Sequence, residues 1–241
     1  MTVEIVFETH ATTEDNEAGR ATGWLPGTLS AAGRRAATEL GVRRRDDGIA
    51  AVFCSDLRRA VQTAEIAFAE TPIPILLDWR LRECDYGQRN GMRVADVHGR
   101  RSEHLDVPYP DGESWRQAAG RVREFLADLP PRWNGKRVLV IGHVATRWGL
   151  DHAINRVPLE TLAGQEFTWQ EGWEYRLDGV LPPDGLPVYR VLTGPDDVAF
   201  CHRVSEAIAL GYRLHEGPAV TFNGERVIVA QSLRWPESGG Q

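Results

Sequence analysis

No stretch of the chain approaches the ~20 consecutive apolar residues of a membrane-spanning helix, and its beginning lacks the basic-then-apolar pattern of a secretory signal. Both absences lead to the expectation of a cytoplasmic protein with no membrane partner. Cysteine is scarce. Cys54, Cys84 and Cys201 are an odd set without metal spacing, so reduced thiols account for them more simply than a disulfide framework. Nor do His98, His104, His152, His202 and His215 cluster at metal-ligand spacing, so no metal site is expected. Positive charge is short as well. At a net charge of −6 the chain lacks the basic face that nucleic-acid binding through counterion release requires. The one dense basic run, Arg43-Arg44-Arg45, follows an apolar helical stripe, where cations in a last turn complement the helix dipole. Internal repeats are missing too.

What remains is ordinary globular sequence. The chain has 241 residues, 42% apolar and 26% charged, enough for one large or two modest domains. Over the first 155 or so residues, strand and helix signals alternate. Val3, Ile5 and Phe7 lead to Thr9-His10; "AVFCS" (51–55) and "RVLVIGH" (137–143) are continuous apolar runs. Between them lie helical stripes over 30–41, 57–70 and 114–129. Ser30 is placed to cap the first of these and Gly41 to stop it. This order predicts an α/β three-layer sandwich with a largely parallel central sheet, whose ligands sit at the carboxyl ends of the strands. His10 and His143 both stand at such ends. Residues 178–187, rich in proline and glycine, read as a linker. After it comes a small α+β module over 188–236: a strand, a helix with Pro195 in its first turn, and a hairpin around Asn223-Gly224. The expected division is therefore 1–177, linker 178–187 and 188–236.

Four stretches carry a resemblance. "THATTEDN" (9–16) precedes the helix at 30–41; "CSDLRRAVQTA" (54–64), "RLRECDYGQRNG" (80–91) and "VIGHVATR" (140–147) follow in order. Together they resemble the histidine phosphatase superfamily, which includes the cofactor-dependent phosphoglycerate mutases. The resemblance implies that His10 is a nucleophile that becomes phosphohistidine. It makes His143 a second pocket histidine donating to phosphate oxygens, and Arg59 the arginine that forks onto phosphate. Asn16 matches the amide of the first motif, with Thr9 and Thr13 beside it as phosphate-site residues. Glu83 matches the acid that protonates the leaving oxygen and later activates water. No cofactor or metal is implied, because cationic side chains supply the charge. The implied activity is hydrolysis of a small phosphomonoester.

The resemblance also shows departures. Thr9-His10-Ala11 stands where relatives commonly have Arg-His-Gly, and Thr12 where they have glutamate. A charge-assisted hydrogen bond is worth roughly 1.5–3 kcal/mol, so either another cation compensates (Arg147 first, then Arg20 or Arg82), or the substrate is unusual, or the site no longer hydrolyses phosphate. A member that only binds a phosphorylated ligand or a protein partner is the alternative, and a mutase is a nearer one. Residues 101–114 are expected to line the substrate's approach. The C-terminal module resembles a small domain of unknown function, expected to pack on the catalytic domain, pair subunits through a sheet edge, or shape the substrate mouth.

Overall fold

The computed structural model describes residues 2–179, 181, 186 and 188–236. The chain divides after Leu177 into two compact units. Of the expected linker, residues 180, 182–185 and 187 lie outside the described residues.

The first unit is built on a five-stranded sheet of order β3-β2-β4-β1-β5. Its strands are β1 (Thr2–Thr9), β2 (Ile49–Cys54), β3 (Ile75–Leu77), β4 (Arg137–Gly142) and β5 (Trp173–Asp178). The pairs β1–β4, β2–β4 and β2–β3 are parallel. Helices α1 (Glu14–Glu17), α2 (Ala31–Arg44), α3 (Arg58–Phe68), α4 (Val94–His98), α5 (Trp115–Asp128), α6 (Pro130–Trp133), α7 (Val144–Ala153) and α8 (Leu159–Ala163) complete it.

Alternation along β2 shows why its sequence is apolar throughout. Val52 and Cys54 pack with Leu40 of α2 and with Ala60, Ala64 and Phe68 of α3. Phe53 points the other way, with its ring 5.2 Å from Phe125 of α5 and 5.5 Å from Trp133 of α6. Both faces are covered, so no polar side is needed.

Two helix starts follow local chemistry. Ser30 accepts from the backbone N–H of Gly33, and Ser114 forms a reciprocal capping box with Gln117. The expected stop at Gly41 is corrected: α2 runs on to Arg44 and Gly41 is buried inside it. A Cβ there would stand 2.3 Å from the carbonyl oxygen of Ala67, so the glycine serves a close crossing of α2 and α3.

The second unit has strands β6 (Tyr189–Pro195), β7 (Arg213–Leu214), β8 (Ala219–Phe222) and β9 (Val227–Arg234), with helix α9 (Val198–Ala209). Long β9 pairs antiparallel with β6, β7 and β8. Pro195 ends β6 instead of opening the helix; Asp197 caps α9 by accepting from Phe200 N–H. Between β8 and β9, the Asn223 side chain accepts from the N–H groups of Glu225 and Arg226, and Gly224 takes φ +98°. Ala207, Tyr212 and Leu233 form the unit's small core.

Candidate active site

The register of β1 on β4 sets Thr9 opposite Gly142. The next residue on each strand is a histidine, and the His10 N–H donates to the Gly142 carbonyl at 2.9 Å. Their rings lie 4.9 Å apart, tilted by 54°. Adjacent parallel strands thus bring together two residues far apart in sequence at the carboxyl edge of the sheet.

Hydrogen bonds fix the tautomers. Nδ1 of His10 lies 2.8 Å from the Ala11 carbonyl, an acceptor only, so Nδ1 carries the proton and Nε2 keeps its lone pair. Arg59 Nε donates to that Nε2 at 3.3 Å. Arg59 Nη2 lies 3.3 Å from His143 Nδ1, and because arginine only donates, His143 carries its proton on Nε2. That Nε2–H is buried without a partner. An acceptor arriving in the cavity would satisfy it. Burial, reinforced by the Arg59 charge, lowers the His10 pKa to about 3. The same causes hold His143 well below its ordinary range. Both imidazoles are neutral at physiological pH.

Arg59 itself is 2% exposed. Its hydrogen bonds go to the carbonyls of Gly23 and Leu25 and to the two imidazoles. None of these four groups carries a compensating negative charge, and burial shifts its pKa downward. A buried guanidinium of this kind favours an anion. Neighbouring Arg58 is exposed.

Glu83 is a buried acid. It is 9% exposed, and Oε1 accepts from the N–H groups of Cys84 (2.8 Å) and Ala145 (3.2 Å). Burial raises its pKa above the usual carboxylate value, against the pull of those N–H groups and Arg59. Its segment is stapled from several sides. Trp24 Nε1 donates to the Glu83 carbonyl at 2.6 Å, and Arg121 donates to the carbonyls of Arg80 and Glu83 while paired with Glu113. Thr146 Oγ1 donates to the Leu81 carbonyl and accepts from His143 N–H. One hydroxyl so ties the acid's segment to the second histidine.

These side chains open on a cavity of about 450 Å³, which Thr9, His10, Asn16, Arg59, Glu83 and His143 help to line. Thr13 is buried behind it, where Thr13 and Asn16 cap α1 reciprocally. Arg20 also reaches the wall. Arg147 and Arg82, expected as compensating cations, lie elsewhere. Arg147 pairs with Asp151 at 3.3 Å and stacks on Trp173, 4.6 Å from the ring centre. Arg82 forks onto Asp56 and covers Trp24. Residues 101–114 do not line the cavity; Leu105 and Tyr109 are core around Trp115.

Sequence reasoning missed several wall residues. Ala36, Glu39, Leu40 and Arg43 form one stripe of α2, at helical spacing that would have found them once the helix was known to continue. Arg43 and Arg44 bind the buried carboxylate of Glu8, so the basic run has a partner beyond the helix dipole. Phe167, Trp169 and Glu171 face the cavity while Thr168 and Gln170 do not, the alternation of an extended segment. Among the described residues, no group of three or more His, Cys, Asp or Glu side chains could hold a metal ion.

Residues 5–168 match the histidine phosphatase superfamily (branch 1), and residues 187–233 match a domain of unknown function, DUF1737. The probable phosphoglycerate mutase GpmB of Enterobacter sp. (strain 638) is 30% identical over 203 residues, covering 73% of this chain and 93% of the relative. Among solved structures, Bacillus stearothermophilus YhfR aligns with a TM-score of 0.62 at 27% identity, covering 70% of this chain and 88% of that one. A mycobacterial glucosyl-3-phosphoglycerate phosphatase aligns with a TM-score of 0.60 at 26% identity, covering 68% and 84%.

Proposed function

The chain belongs to the histidine phosphatase superfamily, and on that premise we propose that it hydrolyses a small phosphomonoester through a phosphohistidine at His10. The observation that carries this reading is the His10 tautomer: Nδ1 is held by the Ala11 carbonyl, which leaves a neutral Nε2 beside Arg59 and His143. When a phosphate enters, Arg59 and the free Nε2–H of His143 donate to its non-bridging oxygens, stabilising the charge that a loose transition state spreads over them. The Nε2 lone pair forms the P–N bond as the ester P–O bond breaks. Protonated Glu83 gives its proton to the leaving oxygen. In the second half, the Glu83 carboxylate takes a proton from water, water's oxygen attacks phosphorus, and the P–N bond breaks to return neutral His10 and inorganic phosphate.

Relatives named as mutases support a second reading, in which an alcohol takes the place of water in the second half. Rapid quenching with substrate should trap an acid-labile, base-stable phosphate on the wild type and none on His10→Ala. Turnover in ¹⁸O-water separates the two readings. Label in the released phosphate marks hydrolysis, and transfer to an added alcohol marks a mutase. Wild-type turnover by His10→Ala would refute both.

A further inference from the structure

Beyond the phosphate end, the cavity is unusually specific in its charge. Its wall carries Glu8, Glu39, Glu83 and Glu171 against Arg20, Arg43 and Arg59. Arg43 pairs with Glu8, both of whose carboxylate oxygens it approaches at 3.3 Å, and shares that carboxylate with Arg44 at 2.9 Å. Arg59 serves the histidine pair. Arg20, exposed and bonded to the Gly91 carbonyl, is the cation left over. Glu39 and Glu171 are exposed and make no ion pair among the described residues. They stand on different walls, one on the α2 stripe and one on the extended segment. His98, a third imidazole on the wall, is held neutral by burial and Arg101, its pKa lowered to about 4, and adds no positive charge.

The extended segment also supplies ring surface. Phe167 is fixed from behind by the Arg147 guanidinium, 5.7 Å from its ring centre. Trp169, two residues on, faces the same cavity and is 57% exposed. An indole this open, on the wall of a cavity larger than a phosphate group needs, is a surface on which a planar group can stack. With a carboxylate two residues further along, the same wall offers a cation both a ring face and a counter-charge.

Resting on the phosphomonoesterase reading, we propose that the leaving alcohol of the substrate carries a planar ring and is uncharged or cationic. Esters whose alcohol bears a second anion are rejected. A second carboxylate or phosphate would meet Glu39 and Glu171 with Arg20 alone to answer it. A ring bearing an amine or a ring nitrogen would meet Trp169 and complementary charge. This sets the chain apart from enzymes acting on phosphoglycerates, whose alcohol part is itself anionic.

Binding of non-hydrolysable phosphonates to the full chain tests the proposal without relying on turnover. The probes are 4-(aminomethyl)benzylphosphonate, benzylphosphonate, 4-carboxybenzylphosphonate and propylphosphonate, measured by calorimetry at low and high salt. The amine should bind most tightly and the carboxylate roughly tenfold more weakly, with the gap shrinking at high salt. Glu39→Gln/Glu171→Gln should narrow that gap. Trp169→Ala should weaken the benzyl compounds several-fold and leave propylphosphonate unchanged. Both changes are at exposed positions, so folding is not at stake. A carboxylate that binds as well as the amine overturns the proposal, as does a gap indifferent to the double variant. If the folded protein binds none of the four, the phosphate reading itself fails; a wrong order among binders removes only this inference.

Discussion

Neutral imidazoles tie activity and stability to acid in opposite ways. His10 keeps its Nε2 lone pair until pH approaches about 3. Glu83, raised by burial, keeps its proton above the usual carboxylate range. Turnover of an alkyl phosphate is therefore expected to rise as pH falls from 8 toward 5, while an activated aryl phosphate responds less. A steady-state pH series on the two substrates checks this. Stability runs the other way. The unfolded histidines titrate near ~6.5 and the folded ones far lower, so below ~6.5 the unfolded chain takes up protons that the native site refuses. Stability is lost as pH falls below about 6.5, for His10 down to about 3, by up to roughly 1.4 kcal/mol per pH unit for each residue. Urea midpoints at pH 7, 6 and 5 should fall less steeply for His10→Asn and His143→Asn. Glu83 has the reverse slope: its raised value makes ionisation costly above ~4.3. Glu83→Gln should accordingly slow alkyl phosphates by about 10²–10⁴-fold yet gain stability at pH 7. Equal slowing of aryl and alkyl substrates would assign Glu83 a structural role. Thr9 is a further residue-scale proposal. If Arg59 and His143 donate to the phosphate as proposed, Thr9→Arg is expected to disturb their geometry and lower kcat; an improved kcat/KM would instead identify a missing contact.

Elements turn on close approach. Ordinary helix propensity says that Gly41→Ala should stabilise α2 by about 1 kcal/mol. The new Cβ would meet the Ala67 carbonyl at 2.3 Å, and overpacking of that kind costs typically 1–3 kcal/mol. The clash is expected to win, lowering Tm by several degrees. Gly120 in α5 is the control, since a Cβ there meets nothing within 4 Å; Gly120→Ala should raise Tm by about 2–4 °C. Thermal unfolding of both variants decides the sign. The same crossing explains what sequence could reveal. β1 and β4 were legible because both are apolar runs ending in histidine, and the Ser30 and Ser114 caps because capping is local chemistry. The end of α2 was not, because packing on α3 overrides the glycine. Arg147 was expected at the phosphate because it follows His143 closely, but nothing in that spacing says that its side chain reaches to Trp173 and Asp151. Phe167, Trp169 and Glu171 lie outside named strands and helices, and their alternation alone does not say that the segment borders a cavity.

On the scale of the whole molecule, the cavity and every side chain assigned a chemical role belong to the unit that ends at Leu177. The second unit exposes Val220 and Phe222 of its strand β8, at 64% and 65%. We propose that it pairs copies of the chain. A chain truncated near residue 183 should keep its turnover and lose oligomerisation in sedimentation. An identical sedimentation coefficient per mass, with altered KM, would assign the module to substrate binding instead.

The pairing of Thr9 with Gly142 also has a consequence for synthesis on the ribosome. On the proposed mechanism the nucleophile, His10, emerges well before its oxyanion donor and the N–H that holds the acid, which arrive only with β4 and α7. At roughly 5–20 residues per second, that is a wait on the order of ten seconds. A nascent chain passes through this interval with an imidazole that nothing has yet desolvated or aimed. Chemistry becomes available in one step, when the last central strand slots between its neighbours, and an incomplete chain released early would carry the reactive residue without the reactivity.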